Sequence, residues 1–284
     1  MSLVDYAAAR RTSPASRTRF RRIQPGLWLA WLVIIVAVAA AIAPWLFTDY
    51  SATEGTAGAQ RLAPQAGHWL GTDQLGRDLF ARIVFGASHS LSAALAAVAM
   101  GLIIGTAFGL LAGALGGRTE TLIMRAVDVL LAIPSLLLSL SMLILLGFGT
   151  LNAALAVGIA SVASFARLTR GEVVRIRCSD YVEAAFGSGG TFFAVLRRHI
   201  LPNITTPVIA FAALQFGQAI LALSTLSFLG YGTPPPTPEW GLLIAEGRNY
   251  LSTAWWLTTF PGVVVIAVVL AANRISYQLS GGRP

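Results

Sequence analysis

The sequence has no lysine; its 20 Lys+Arg positions are all arginine. A nucleotide-binding loop of the Gly-Lys-Ser/Thr kind needs that lysine to hold phosphates. Such a loop is therefore excluded, and any ATP hydrolysis tied to this chain belongs to a partner. Cysteine is nearly absent. The single Cys178 excludes an intrachain disulfide and a cysteine-based zinc site. The three histidines, His68, His89 and His199, are scattered and assemble no metal or nucleophile constellation. Charge is scarce as well, at 11% of residues, against about 25% in soluble domains. No basic stripe interleaves with aromatics, so the net charge of +8 does not point to nucleic acid.

Apolar residues fill the space: 56% of the chain is hydrophobic, with a mean hydropathy of +0.71. This describes an all-α integral membrane protein. Six spans are expected, at residues 27–47, 89–116, 122–147, 151–166, 204–230 and 254–276. The first resembles a signal peptide in its charged lead, but its apolar run is too long for one. Residues 1–22 read as a cytosolic tail, and residues 23–284 as the membrane domain, with a core over about 85–276. Arginine crowds the tail, the turn before the third span, the loop after the fourth and the C-terminus. By the positive-inside rule both termini are cytosolic. Gly101, Gly105 and Gly109 fall on one helix face, either a seam for close packing or a chance of composition. Asp128 lies just inside the third span, where a carboxylate is a functional candidate by default. Arg125, one turn earlier, offers it an ion pair instead. Pro134 is expected to kink that span, and Pro261-Gly262 the sixth.

Two external loops stand out. Residues 49–87 carry charges of both signs and include His68 to Asp78, reading HWLGTDQLGRD. Taken by itself this is a salt-bridged loop, with Asp78 starting an interfacial helix of Leu79, Phe80, Ile83 and Val84. Residues 231–253 hold a run of prolines, which makes a stiff extended element. Pro235, Trp240, Glu246 and Arg248 are its candidate residues for contact with an external protein.

The stretch from Asp180 to Asn203, DYVEAAFGSGGTFFAVLRRHILPN, is the longest polar-bearing insert in the C-terminal two thirds. Asp180 and Glu183 are spaced as a capping box for a short helix. Gly187, Gly189 and Gly190 break it. Thr191 caps a second helix whose Phe192, Val195, Leu196 and Ile200 share a face, with Arg197 and Arg198 on another. Pro202 is expected to close the unit. Such a knob docks into a groove on another protein, or it is an ordinary amphipathic interfacial segment.

Its residue types narrow the choice. Glu183-Ala184-Ala185, then Gly189, then Leu201-Pro202 match the spacing of the EAA motif of ABC-importer permeases, with His199 where isoleucine is usual. Arg198 to Asn203, HWLGTDQLGRD, LSFLGYGTPPPTPEWG and AEGRNYL resemble the dipeptide/oligopeptide/nickel branch and its C-type permease subunit. The resemblance runs from about His68 to Asn273. It implies six membrane helices and a cytosolic coupling helix. Residues Asp180, Glu183, Ala184, Ala185, Gly189, Phe192, Val195, Leu196, His199, Leu201 and Pro202 would meet a cytosolic ATPase. It implies a bacterial inner-membrane importer of peptides or related solutes, non-catalytic itself. Its partners would be a related second permease, two ABC ATPases carrying ATP and magnesium, an extracytoplasmic substrate-binding protein, and surrounding lipid. Three departures stand out: extra glycine between Ala185 and Thr191, Leu223 where relatives often have Glu, and a missing Gly-Asp-x-Leu-Arg-Asp after Asn273. The alternative is a secondary transporter or channel not driven by ATP. Such carriers need ionisable groups deep in the bundle, and none lies between Asp128 and Arg167, nor any Asp, Glu or Arg between Arg198 and Glu239.

Overall fold

A computed structural model describes residues 25–281. The tail expected over residues 1–22 lies outside the described residues. Among the described residues the regular elements are helical, as membrane spans must be when each peptide group has to bond within its own segment. In chain order they are α1 (Pro25–Ile42), α2 (Leu79–Leu115), α3 (Gly117–Ala132), α4 (Ser135–Leu146), α5 (Thr150–Arg177), α6 (Asp180–Gly187), α7 (Phe192–Phe228), α8 (Trp240–Gly247) and α9 (Trp256–Leu279). Five are long and apolar enough to cross a membrane; α3 and α4 make a sixth if taken as one broken span.

Several boundaries differ from expectation for identifiable reasons. Asp78 does start a helix, its Oδ1 accepting from the Ala81 amide at 2.8 Å. That helix is α2 itself, not a separate interfacial piece. Leu79, Ile83 and Val84 are buried in the protein core, facing neighbouring spans. At Pro134 the third span breaks outright, with its two arms meeting at 93°. Ile133 is extended, at φ −89° and ψ 128°, because a residue before proline is pushed out of the helical region. The fourth span is longer than its apolar stretch. With 28 residues, α5 reaches about 42 Å, so its arginine-rich third extends beyond a hydrocarbon core of about 30 Å.

The glycine seam is a close approach of α2 to α5. A Cβ at Gly101 would stand 2.7 Å from the Ser161 Cβ, one at Gly105 2.5 Å from the Val162 carbonyl, and one at Gly109 2.5 Å from the Ala166 carbonyl. Gly113 continues the row, 2.8 Å from Val173. A π-helical turn at Gly101–Gly105 lies within the seam. No residue larger than glycine fits without parting the helices. Around this pair α1, α7 and α9 complete the bundle, with Phe165, Ile220, Leu226 and Val268 in the core. The faces of α1 and α9 that carry Trp28, Ile35, Val263 and Ile266 are exposed, as lipid contact requires.

Candidate functional site

The insert between α5 and α7 is built as two helical pieces around a glycine turn. Ser179, not Asp180, is the N-cap of α6, and its hydroxyl donates back to the Ile176 carbonyl. The capping box expected from Asp180 and Glu183 therefore does not form; both side chains are exposed in the first turn. The other end of α6 is a Schellman turn. Gly190 donates to the Ala185 carbonyl at 3.0 Å and Gly189 to the Phe186 carbonyl at 2.9 Å, with Gly189 at φ +86°. Gly190 is needed for space, since a Cβ there would lie 2.6 Å from the Ala185 carbonyl. Gly187 meets neither demand.

Pro202 does not close the unit. The helix that starts after Thr191 runs on through it to Phe228. A π-helical turn at Leu196–Ile200 precedes the proline. Widening the helix there makes room for a ring that would otherwise strike the preceding turn. His199 sits in this turn, its carbonyl accepting from the Asn203 amide at 2.6 Å.

The apolar face of the insert is not free. Val182 and Val195 are 0% and 2% exposed, and with Ile200 and Ile204 they pack on Ala114, Val173 and Ile176. Ala185, Phe192, Leu196 and Leu201 close the edge of that cluster. The expectation that Phe192, Val195 and Leu196 meet a partner protein is corrected for Val195, which is buried against the ends of α2 and α5; Phe192 and Leu196 are half-buried at the edge. Periodicity reveals that a stripe exists, not which partner buries it. The exposed surface carries Tyr181, Glu183, Ala184, Phe186 and Phe193, the last 79% exposed. The Phe192-Phe193 pair was the available signal, because adjacent helical residues cannot both face inward. Arg177 ties the insert's root to α2 through the carbonyls of Gly113 and Ala114.

Beside the insert, two ion pairs join α3 to α5. Arg170 reaches Glu120 through Nε at 2.7 Å, and Asp128 pairs with Arg167, not with Arg125 as its own helix suggested. The Asp128 pair is exposed, and the cleft holding both is open to solvent.

At the opposite end the long loop is the salt-bridged structure its charges predict; residues 51–70 are mostly exposed, but the charge cluster itself is buried. Asp73 Oδ2 accepts from Arg77 Nε at 2.6 Å and Arg82 Nη1 at 2.7 Å. Glu246 Oε2 accepts from the same Arg82 Nη1 at 2.6 Å. His68 Nδ1 lies 2.8 Å from Asp78 Oδ2. The cluster welds the loop to α8, which is a docked helix rather than an extended element. Trp240 is 1% exposed and donates through Nε1 to the Ile83 carbonyl at 2.9 Å. Glu239, missed by sequence reasoning, accepts from Ser227 at 2.6 Å and from the Thr233 hydroxyl at 2.8 Å. Of the candidate external contacts, Trp240 and Glu246 are thus structural. Pro235 and Arg248 remain exposed.

A family model described as "Binding-protein-dependent transport system inner membrane component" matches residues 105–280. The "Probable D,D-dipeptide transport system permease protein DdpC" of Escherichia coli K12 is 38% identical over 274 residues, covering 92% of this chain and 90% of that protein. The dipeptide transport system permease protein DppC of Alkalihalophilus pseudofirmus is 39% identical, covering 91% and 86%. The glutathione transport system permease protein GsiD of Pectobacterium atrosepticum is 40% identical, covering 75% and 70%.

Proposed function

The chain belongs to the family of binding-protein-dependent transport system inner membrane components, and from that membership we propose how its parts divide the work of an ATP-driven importer. It is the multi-pass, non-catalytic permease subunit, and the carrier-or-channel alternative falls with that membership. The insert over residues 180–203 couples it to a cytosolic ATPase. The observation that carries this reading is the insert's two faces: Val182 and Val195 are sealed onto α2 and α5, while Tyr181, Glu183, Phe186 and Phe193 face outward. An exposed aromatic cluster beside a carboxylate suits a groove with an apolar floor and a basic rim.

Closure of two ATPases on ATP and magnesium moves the insert, and its buried face passes the motion to α2 and α5. The bundle then exposes its passage to one side and the other in turn. A related second permease supplies the other half. Both termini lie on the cytosolic side, with the arginines of α5 and α7. Pro235 and Arg248, at the far end, are the residues left for contact with a binding protein. The named relatives serve D,D-dipeptides, dipeptides and glutathione, so the cargo proposed here is a peptide or a related small solute.

The test is association of the assembled complex and its coupled hydrolysis. Phe193→Ala removes a side chain whose burial contributes roughly 1.5–3 kcal/mol, so ATPase affinity should fall about tenfold or more. Glu183→Lys should depress hydrolysis stimulated by the loaded binding protein, with membrane insertion unchanged. Full ATP-driven uptake by both variants would remove the coupling role.

A further inference from the structure

A cleft of about 550 Å³ opens between α4, α5 and α7. Ser139, Ser161, Ser164, Gln215, Gln218 and Thr225 supply its polar lining. On α7, Gln215, Gln218 and Thr225 share one face, while Gly217, Ile220 and Leu223 of the opposite face are buried in the core. Leu223, where the resemblance leads one to look for a carboxylate, is 3% exposed and does not line the cleft. Gln215 and Gln218 stand about two thirds of the way along a 37-residue helix, at the middle of the apolar span expected over residues 204–230.

An amide in hydrocarbon without a partner costs several kcal/mol. Neither glutamine amide is hydrogen-bonded to another described residue, and Gln218 is exposed. This face therefore does not meet lipid tails. It meets water, a polar solute or the second permease, and the open cleft in front of it favours the first two. No charged residue lines the cleft. Arg167, one turn beyond Ser164, is already paired with Asp128. The volume lies in the range of about 300–1,000 Å³ that encloses small-molecule ligands.

We infer that this cleft is the chain's share of the solute passage, and that it passes polar, zwitterionic solutes through neutral hydrogen-bonding groups alone. The inference rests on the importer reading and assigns it a path. A lining of hydroxyls and amides offers donors and acceptors to both ends of a zwitterion. It holds neither end by a fixed charge, so it need not discriminate among side-chain charges. Selection then falls to the binding protein, and release is not slowed by an ion pair.

The test uses the assembled transporter in membrane vesicles, with Cys178→Ser as background. Single cysteines replace Ser164, Gln218 and Thr225, and Ile266, 57% exposed on α9, serves as the lipid-facing control. The probe is negatively charged sulfonatoethyl methanethiosulfonate. Thiols in a wet passage ionise and react; those in hydrocarbon do not, so the three should label at least about tenfold faster than the control. Ser164→Cys is close to isosteric and keeps the test open if Gln218→Cys fails to assemble. Labelling as slow as the control would overturn the passage. So would crosslinking of the cleft cysteines to the second permease with no reagent access, since the cleft would then be a dry interface. Glu183→Lys, assayed in parallel, reports the coupling reading separately: its failure leaves the labelling result standing.

Discussion

Replacing Asp73 with Asn should be the most damaging conservative change in the half of the protein opposite the insert. Its carboxylate is 3% exposed and sits between two arginines that are 2% and 0% exposed. One carboxylate oxygen takes both guanidinium donors, at 2.6 and 2.7 Å. The other takes the amides of Leu75 and Arg77, at 2.8 and 3.0 Å. Asparagine can keep the second set but not the first, because its amide group would set a donor against donors. Arg77 and Arg82 would then share only Glu246, which lies 2.6 Å from Arg82 and 3.5 Å from Arg77. Breaking a buried pair from one side costs about 3–5 kcal/mol, a large part of a typical stability of about 5–15 kcal/mol. Arg82 has little reserve, since its Nε and Nη2 are buried without partners. The assay is a denaturation series on purified protein, with limited proteolysis of residues 50–78 to localise the change. Asp73→Asn and Arg82→Gln should each be strongly destabilising, and the double variant should cost less than their sum by at least about 1 kcal/mol. Strict additivity, or a loop as protease-resistant as the wild type, would refute the claim that one buried charge system holds the external cap.

Other outcomes follow from single geometries. Gly109→Leu should uncouple hydrolysis from transport while the ATPase still binds, because its Cβ would fall 2.5 Å from the Ala166 carbonyl and force α2 from α5; normal coupling would exclude the seam from transmission. Gly189→Ala should loosen the end of α6, since a left-handed residue costs about 1–2 kcal/mol outside glycine, whereas Gly187→Ala should be neutral or slightly stabilising; amide exchange over α6 distinguishes the two. Cys178 is exposed and should react with an impermeant thiol reagent in inverted vesicles but not in intact cells; the reverse pattern would turn the topology over.

The parts legible in the sequence are those where one residue type answers one steric demand. Gly101, Gly105 and Gly109 announce a close helix pair because their spacing alone defines the face. Asp78 announces a helix start and performs it. The existence of the insert between α5 and α7 is legible from its polarity between apolar runs, and its turn from Gly189. Burial across the fold is a different matter. Trp240 reads as an exposed loop aromatic, yet it is buried against α2, where the Ser90 hydroxyl, 150 residues earlier in sequence, accepts from its backbone amide. Asp128 suggests its neighbour Arg125, but Arg167 on another helix takes the pair. Pro202 reads as a stop until a widened turn lets the helix pass, and Pro134 reads as a kink where the chain breaks. In each case the deciding contact comes from an element that local pattern does not see.

The architecture leaves little doubt about where motion is free to occur. From the insert inward, Val182 and Val195 are bolted to Val173 and Ile176. Along the bilayer, the glycine row holds α2 against α5 without space for sliding. At the outer end, Trp240 and the Asp73 cluster fix α2 to α8. A force applied at Phe193 therefore meets one stiff unit from the insert to the Asp73 cluster at the opposite end. The α3–α4 pair is the exception. Its α3 arm packs on α5 through Val127 against Ala163 and Ala166 and is tied there by two ion pairs, and the pair breaks at Ile133-Pro134. Its α4 arm packs through Leu138 and Leu143 but leaves Leu137, Ile144 and Leu145 exposed. The polar cleft lies between this arm and the stiff unit, so it has one fixed wall and one jointed wall. If the insert couples to an ATPase as proposed, a stroke delivered there would move the fixed wall as a body, and the cleft would change width at the joint.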